Sequence, residues 1–381
     1  MMETSNKGKI AVLGASSGQL AILLKAKEMG YKTIVFGWDE GAVCKEYADK
    51  FYPISVTEYD YIAELCRKEQ VVAVTTNMAD TTALACAKVT EKLGLPGASA
   101  RIIERVLDKS QVRDLTRNIP LLSKPWSFTI NLDDSTTQSA YPQFPCIVKP
   151  CTASGKIGVS LCNNQEEFDN ALMYARKKSS HILVEQFIEG REISVETISH
   201  AGKHYVIQIT DKENTGAPHF VELGHHEPAL ISGELKRKIS DVVKNILTIV
   251  EYDEAVAHVE MKIEGDDIYL IEINPRGGGG FLSTTIIEQS TGYDYLAAMI
   301  NLSLGKFEAP EELKTVRYSG MYWLTGNVPE RIPAFTRAIN RPWVIASSLG
   351  ENMNKVLESN IGRDSYIIYA SDHKITIEDC M

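Results

Sequence analysis

The sequence predicts an α/β fold with a parallel sheet for about the first hundred residues and an α+β arrangement beyond. Three observations lead there. Short β-type runs alternate with helical stretches up to Gly94, a polar break marked by prolines follows, and a series of strand-like runs then succeeds it. In order, "KIAVLG" (9–14) reads as a strand, "SGQLAILLKAKEMG" has helical spacing and ends on Gly30, and "KTIVFG" is strand again. "VVAVTT" (71–76) is a further strand, and "TTALACAKVTEKLG" is a helix closed by Gly94. "GASSGQ" after the first strand has the spacing G-x-x-x-G, not the G-x-G-x-x-G of a dinucleotide fingerprint, so it reads as a turn that lets helix and strand pack. A dehydrogenase is accordingly the weakest functional reading.

The second part opens with a helix-like "RVLDKSQVRDLTRN", prolines at 120 and 125, and the polar stretch "NLDDSTTQSAYPQ". Strands follow: "CIVKP" (146–150), "GVSLC" (158–162), "HILVEQF" (181–187), "EISVETIS" (192–199), "KHYVIQIT" (203–210), "AHVEMKIE" and "DIYLIEIN". From about residue 311, "RYSGMYWLT" and "DSYIIYAS" carry mixed β character. The expected domains are 1–105, 106–310 with a smaller subdomain at about 120–187, and a C-terminal α+β segment 311–381 that completes the second.

Composition narrows the function. With 44% hydrophobic and 24% charged residues the chain is globular and not disordered. A formal net charge of −10 argues against a general polyanion-binding surface, hence against nucleic acid, and leaves room for a local basic pocket holding a small phosphate compound. The start "MMETSNKGKI" has no signal-like apolar stretch and no long uncharged apolar segment occurs, so a cytoplasmic protein without membrane contact is expected. Seven cysteines without a CxxC pair indicate neither a zinc ribbon nor a disulfide framework; Cys151, in a loop, is the one candidate for reactivity.

"HVEMKIEGDDIYLIEINPR" reads as a hairpin with residues 265–267 as its loop. Alternation puts His258, Glu260 and Lys262 on one side of the first strand, and Leu270, Glu272 and Asn274 on one side of the second. Glu260 then faces Glu272, and opposed carboxylates need something to offset them. A hard dication is one answer, with Asn274 as a neutral oxygen donor; a solvated polar face is the other. Beyond Pro275, Arg276 and four glycines precede the helix-like "STTIIEQSTG". Glycine N–H groups, a helix N-terminus and a guanidinium together suit an anion, whereas a bare turn is the plainer alternative.

Upstream, "CIVKPCTASGKIGVS" places Lys149 at a strand end before a loop of small residues that is not a Walker loop. "VEQFIEGREISVE" offers two strands joined at Ile188, Glu189 and Gly190. In this order, with "VLDKSQVRD" before them and "HVEMK" and "EINPR" after, these motifs resemble the ATP-grasp superfamily over nearly all of residues 1–310. The resemblance implies an ATP-grasp fold: a Rossmann-like pre-ATP-grasp domain, then two α+β lobes enclosing ATP. Carried over by position, Lys109 and Lys149 would contact the phosphates, and Ser154, Gly155 and Lys156 would form a lid. Glu185, Phe187 and Ile188 would meet adenine, and Glu192 the ribose. Glu260, Glu272 and Asn274 would coordinate Mg2+ or Mn2+, and Arg276 would stabilise the transferring phosphoryl group.

Within the superfamily, "EINPRGGGGF…EQSTGYDYLAAMINLSLG" is most similar to the L-amino-acid ligases, which commonly have a proline where this chain has Gly277. The implied activity is an ADP-forming carboxylate–amine ligase making a dipeptide-like amide through an acyl phosphate, with amino acids as substrates and a homodimer as the expected assembly. A bicarbonate-activating carboxylase or carbamoyl-phosphate-type enzyme is the runner-up, and a non-catalytic nucleotide-binding regulator a third reading. Arg276, Gly277, Gly278 and Gly279 would face the carboxylate. "TDKENTGAPHFVELGHHEPAL" (210–230) reads as a long polar loop over the acceptor, whose His225 and His226 could position a substrate carboxylate or take the amine's proton, with Lys212 a weaker candidate.

Overall fold

The computed structural model describes residues 7–134, 141–153, 155, 157–311 and 313–380. Its first sheet is parallel, in the order β3-β2-β1-β4: β1 (Lys9–Leu13), β2 (Lys32–Phe36), β3 (Lys50–Tyr52) and β4 (Val71–Thr75). The connections are α1 (Ser17–Glu28), capped by Ser16, whose hydroxyl accepts from the Gly18 N–H, and α2 (Tyr59–Glu69), with α3 (Asp80–Leu93) after β4. The segment 105–118, expected as one helix, is two. Asp108 closes α4 (Ala100–Leu107) and caps α5 (Lys109–Thr116) by accepting from the N–H groups of Ser110 and Gln111. A mid-stretch Asp that bonds the following backbone starts a new helix, and here it puts Lys109 at a helix start.

A smaller antiparallel sheet has the order β5-β8-β6-β7: β5 (Ser127–Asn131), β6 (Cys146–Pro150), β7 (Ser160–Cys162) and β8 (His181–Gln186), covered by α6 (Gln165–Arg176). The chain then crosses at 187–190 into an eight-stranded antiparallel sheet. Its strands are β9 (Arg191–His200), β10 (Lys203–Asn214), β11 (Glu222–Glu227), β12 (Ala255–Glu264), β13 (Asp267–Asn274), β14 (Tyr318–Trp323), β15 (Val344–Ser348) and β16 (Tyr366–Ser371). The order is β13-β12-β9-β10-β11-β14-β16-β15, so the C-terminal strands extend the sheet that carries the paired carboxylates. On one face lies α7 (Gly233–Ile249), whose Ile239, Val242, Val243, Ile246 and Leu247 recur at helical spacing and are buried. The remaining helices are α8 (Ile287–Thr291), α9 (Tyr295–Ser303) and α10 (Arg331–Ala338). Among the described residues no helix is long and apolar enough to cross a membrane.

Residues 210–230 are not one long loop. β10 and β11 pair through this stretch, with Asp211 opposite His226 and Lys212 opposite His225, which leaves only 215–221 as the connection.

Candidate active site

A cleft with about 1050 Å³ of free space lies between the small sheet and the β12–β13 hairpin. At one end Lys109 donates to the Ala153 carbonyl (2.7 Å) and pairs with Glu272 (2.9 Å). Lys149, on β6, pairs with Glu185, which also takes a 2.9 Å bond from Arg113 Nε; Arg113 in turn donates to the Ile271 carbonyl (2.8 Å). Burial acts to raise the Glu185 pKa, but Arg113 and Lys149 outweigh it and hold the carboxyl at about 2. Lys149 is drawn below the usual lysine range by burial, with Glu185 opposing. Arg113 was not singled out from the sequence, although it stands four residues after Lys109 and so on the same face of α5.

At the other end Phe187 and Phe220 approach with ring centroids 6.2 Å apart, and Lys262 lies 5.0 Å over the Phe187 ring while donating to the Ile188 carbonyl (2.6 Å). Glu185, Phe187, Ile188 and Glu192 all line this cleft. Gly155 is exposed, with φ +66°. Ser154 and Lys156 lie outside the described residues.

The hairpin brings Glu260 opposite Glu272, as expected, but by another route. Its loop is the two residues Gly265 and Asp266, since Glu264 pairs with Asp267, and a bulge at Ile271 restores the Glu260–Glu272 register. The like charges are offset within the protein. Lys212 donates to Glu260 (2.7 Å), His258 Nε2 lies 3.1 Å from the same carboxylate, and Lys109 pairs with Glu272. Burial acts to lower the His258 pKa, yet Glu196 and Glu260 raise it to about 9. Asn274 accepts from Arg276 Nη2 (3.3 Å), and Arg276 Nε lies 3.4 Å from Asp80 at the start of α3. Glu260 and Glu272 both line the cleft, and Asn274 stands two residues beyond Glu272 at the end of β13. Glu260 also belongs to a group of three carboxylates, Glu192, Glu222 and Glu260, with one oxygen of each within 4.8 Å of the others.

The glycines serve packing first. Gly277 N–H donates to the Asn77 carbonyl (3.0 Å) and Gly278 N–H to Glu196 (3.1 Å), so neither is directed at a substrate anion as expected. A Cβ on Gly278 would come within 2.6 Å of Glu196 Oε1 and 2.9 Å of His258 Nδ1. Gly279 borders open space. The helix expected after the glycines begins as a π turn, Leu282–Ile286, and continues as α8.

His225 and His226 are strand residues, 2% and 1% exposed. Burial pushes the His225 pKa down to about 3, and the His226 pKa is also lowered by burial, which removes the proton-accepting role expected of a loop imidazole. His225 Nδ1 lies 3.4 Å from the Gly280 carbonyl, while Nε2 is buried without a hydrogen-bond partner among the described residues. His226 bonds the Tyr369 hydroxyl (3.0 Å) and lies 3.0 Å from Glu213. Cys151 is buried and its thiol is pushed up to about 11 by burial, so it is not the reactive cysteine its loop position suggested.

Residues 142–285 match the ATP-grasp domain family. The chain is 24% identical over 322 residues to a carbamoyl phosphate synthase large chain from Clostridium perfringens, covering 82% of this chain and 29% of that protein, so it spans under a third of the length of that relative. It is 24% identical over 311 residues to a formate-dependent phosphoribosylglycinamide formyltransferase from Methanocaldococcus jannaschii, covering 78% and 77%. Among solved structures, an L-amino acid ligase from Bacillus licheniformis superposes with a TM-score of 0.78 at 22% identity, over 97% of this chain and 94% of that one. An N5-carboxyaminoimidazole synthetase from Staphylococcus aureus complexed with ADP gives 0.75 at 16%, over 97% and 94%.

Proposed function

We propose that this chain, which carries an ATP-grasp domain on an ATP-grasp fold, is an ADP-forming ligase that activates a carboxylate with ATP and joins it to an amine. The observation that carries the reading is one cleft lined by Lys109, Lys149, Glu185, Glu260 and Glu272, with Lys109 paired to Glu272 and Lys149 to Glu185. Adenine lies against Phe187 and Ile188 with Lys262 beyond, and Glu192 meets the ribose. Lys109 and Lys149 neutralise phosphate charge, under a lid of Ser154, Gly155 and Lys156. Mg2+ or Mn2+, held by Glu260, Glu272 and Asn274, would add its positive charge to the transferring phosphate.

A carboxylate oxygen of the first substrate attacks the γ-phosphorus while the bond to the β–γ bridging oxygen breaks and ADP leaves. The amine then attacks the acyl carbon, phosphate departs with the bonding pair, and the amine's proton leaves with it. Arg276 stabilises the charge that develops in both steps. His225, neutral at physiological pH, orients a substrate group through Nε2 and is not the base. Amino acids are the favoured substrates, on the likeness to the L-amino acid ligase, and a homodimer is the favoured assembly, on the likeness to a biotin carboxylase domain dimer from Hydrogenobacter thermophilus. Bicarbonate activation is the second reading, on the likeness to carbamoyl phosphate synthase.

The test is a phosphate-release screen over paired amino acids, with mass detection of the amide and hydroxylamine as acyl-phosphate trap. Amide formation that falls at least a hundredfold in Arg276→Ala, with ATP binding retained, supports the ligase. Incorporation of labelled bicarbonate without any amide favours the second reading, and absence of both products refutes both readings for the substrates tried.

A further inference from the structure

Lys212 is a cation that the large sheet buries among three carboxylates. Its side chain is 1% exposed, and its Nζ lies 2.7 Å from Glu260, 3.0 Å from Glu222 and 3.2 Å from Glu192. One oxygen from each of those residues lies within 4.8 Å of the others, a grouping that by itself resembles a dication cage. The three carboxylates come from three strands, β9, β11 and β12, and Lys212 projects among them from β10. Each carboxylate has a further partner: Asn214 on the second oxygen of Glu192 (2.9 Å), Arg363 on the second oxygen of Glu222 (3.1 Å), and His258 on the same Glu260 oxygen that Lys212 holds (3.1 Å).

We infer that Lys212 is a built-in cation: it fills a position that the three carboxylates would otherwise offer to a second dication, and so fixes how many metal ions the nucleotide cleft takes. The inference rests on the proposed metal role of Glu260, because Lys212 and the nucleotide's metal then compete for the same carboxylate. By holding Glu260 on its Glu192 and Glu222 side, Lys212 confines metal binding to the face shared with Glu272 and Asn274. Lys212 is thereby a positioning residue, and no contact between it and the reacting atoms is required. An ammonium suits this task because, unlike a bound ion, it cannot dissociate at low Mg2+ concentration.

The experiment counts Mn2+ bound to the full chain by electron paramagnetic resonance, without nucleotide or substrate, so that its outcome is independent of whether the chain is a ligase. Lys212→Ala is expected to bind one more Mn2+ per chain than wild type and to show an Mn2+-dependent rise in melting temperature. Adding Glu222→Ala to Lys212→Ala is expected to abolish the extra ion. Equal Mn2+ counts in Lys212→Ala and wild type overturn the inference, as does an extra ion that survives loss of Glu222. Should Lys212→Ala fold only when Mn2+ is present, the inference stands; should it remain unfolded even then, a dication does not replace the ammonium and the inference fails.

Discussion

Glu185 takes a hydrogen bond from Arg113, pairs with Lys149, and is itself buried, so its charge depends on both partners. Its pKa is depressed from the ordinary 4.5 to about 2, which means the stability it contributes is present above pH 4.5 and is lost as pH falls through 2. Arg113→Met leaves Lys149 as sole partner and is expected to cost about 3 kcal/mol at pH 7, the lower end for a broken buried pair. Urea unfolding checks this, and the gap to wild type should narrow as pH drops from 4.5 toward 2. Individual site residues differ in how legible they are. Glu260 and Glu272 could be paired because a period of two and a short loop nearly fix a hairpin's register. His225 and His226 could not be placed, because histidines in a stretch rich in charge and glycine look solvated, and only Glu213, Tyr369 and the Gly280 carbonyl reveal that they are buried. The buried role of Lys212 was hidden similarly, since its three carboxylates are distant in sequence.

Among the elements, the connection 187–190 joins the small sheet to the large one and also forms the apolar end of the cleft. It runs so close to β12 that a Cβ on Gly190 would meet the carbonyl group of Ile263, with the carbonyl carbon 2.7 Å away. Backbone cannot yield as a flexible side chain does, so Gly190→Ala must push the connection outward and with it Phe187 and Ile188. Steady-state kinetics should show KM for ATP raised about tenfold, a displacement costing roughly 1.4 kcal/mol of binding, with kcat changed less. Gly233→Ala, where an added Cβ meets nothing within 4 Å, should leave KM unchanged. Strands were legible wherever apolar residues alternate or run together, as in β6 and β13. The break at Asp108 and the bulge at Ile271 were not, because one side chain's capping bonds and one extra residue leave the apolar pattern on either side intact.

The whole molecule is held by cores of different reach. One joins Ile10, Val12 and Val35 of the first sheet to Ile198 and Ile207 of the large sheet and to Tyr295 and Ile300 of α9. Another sets Ile103, Val106 and Val112 of α4 and α5, with α7, against β9 and β12. The small sheet closes instead on itself, with Val148, Ile182 and Val184 against Phe168, Ala171 and Ala175 of α6. Shared apolar burial makes the first and large sheets one cooperative unit, whereas the small sheet meets that unit chiefly through ion pairs and hydrogen bonds around Arg113 and Lys262. Hydrogen exchange in rising urea should therefore open β6 and β8 at a lower concentration than β1, β9 and β12, which should open together. A non-hydrolysable ATP analogue with Mg2+ is expected to narrow that difference, because under the proposed function one ligand would span Lys149 on the small sheet and the carboxylates of the hairpin. At about a hundred times its Kd the analogue contributes about 2.7 kcal/mol, large enough to register as slower exchange in β6 and β8. Simultaneous opening of every strand without nucleotide, or protection confined to β9 and β12 when it is bound, would count against this division of the molecule.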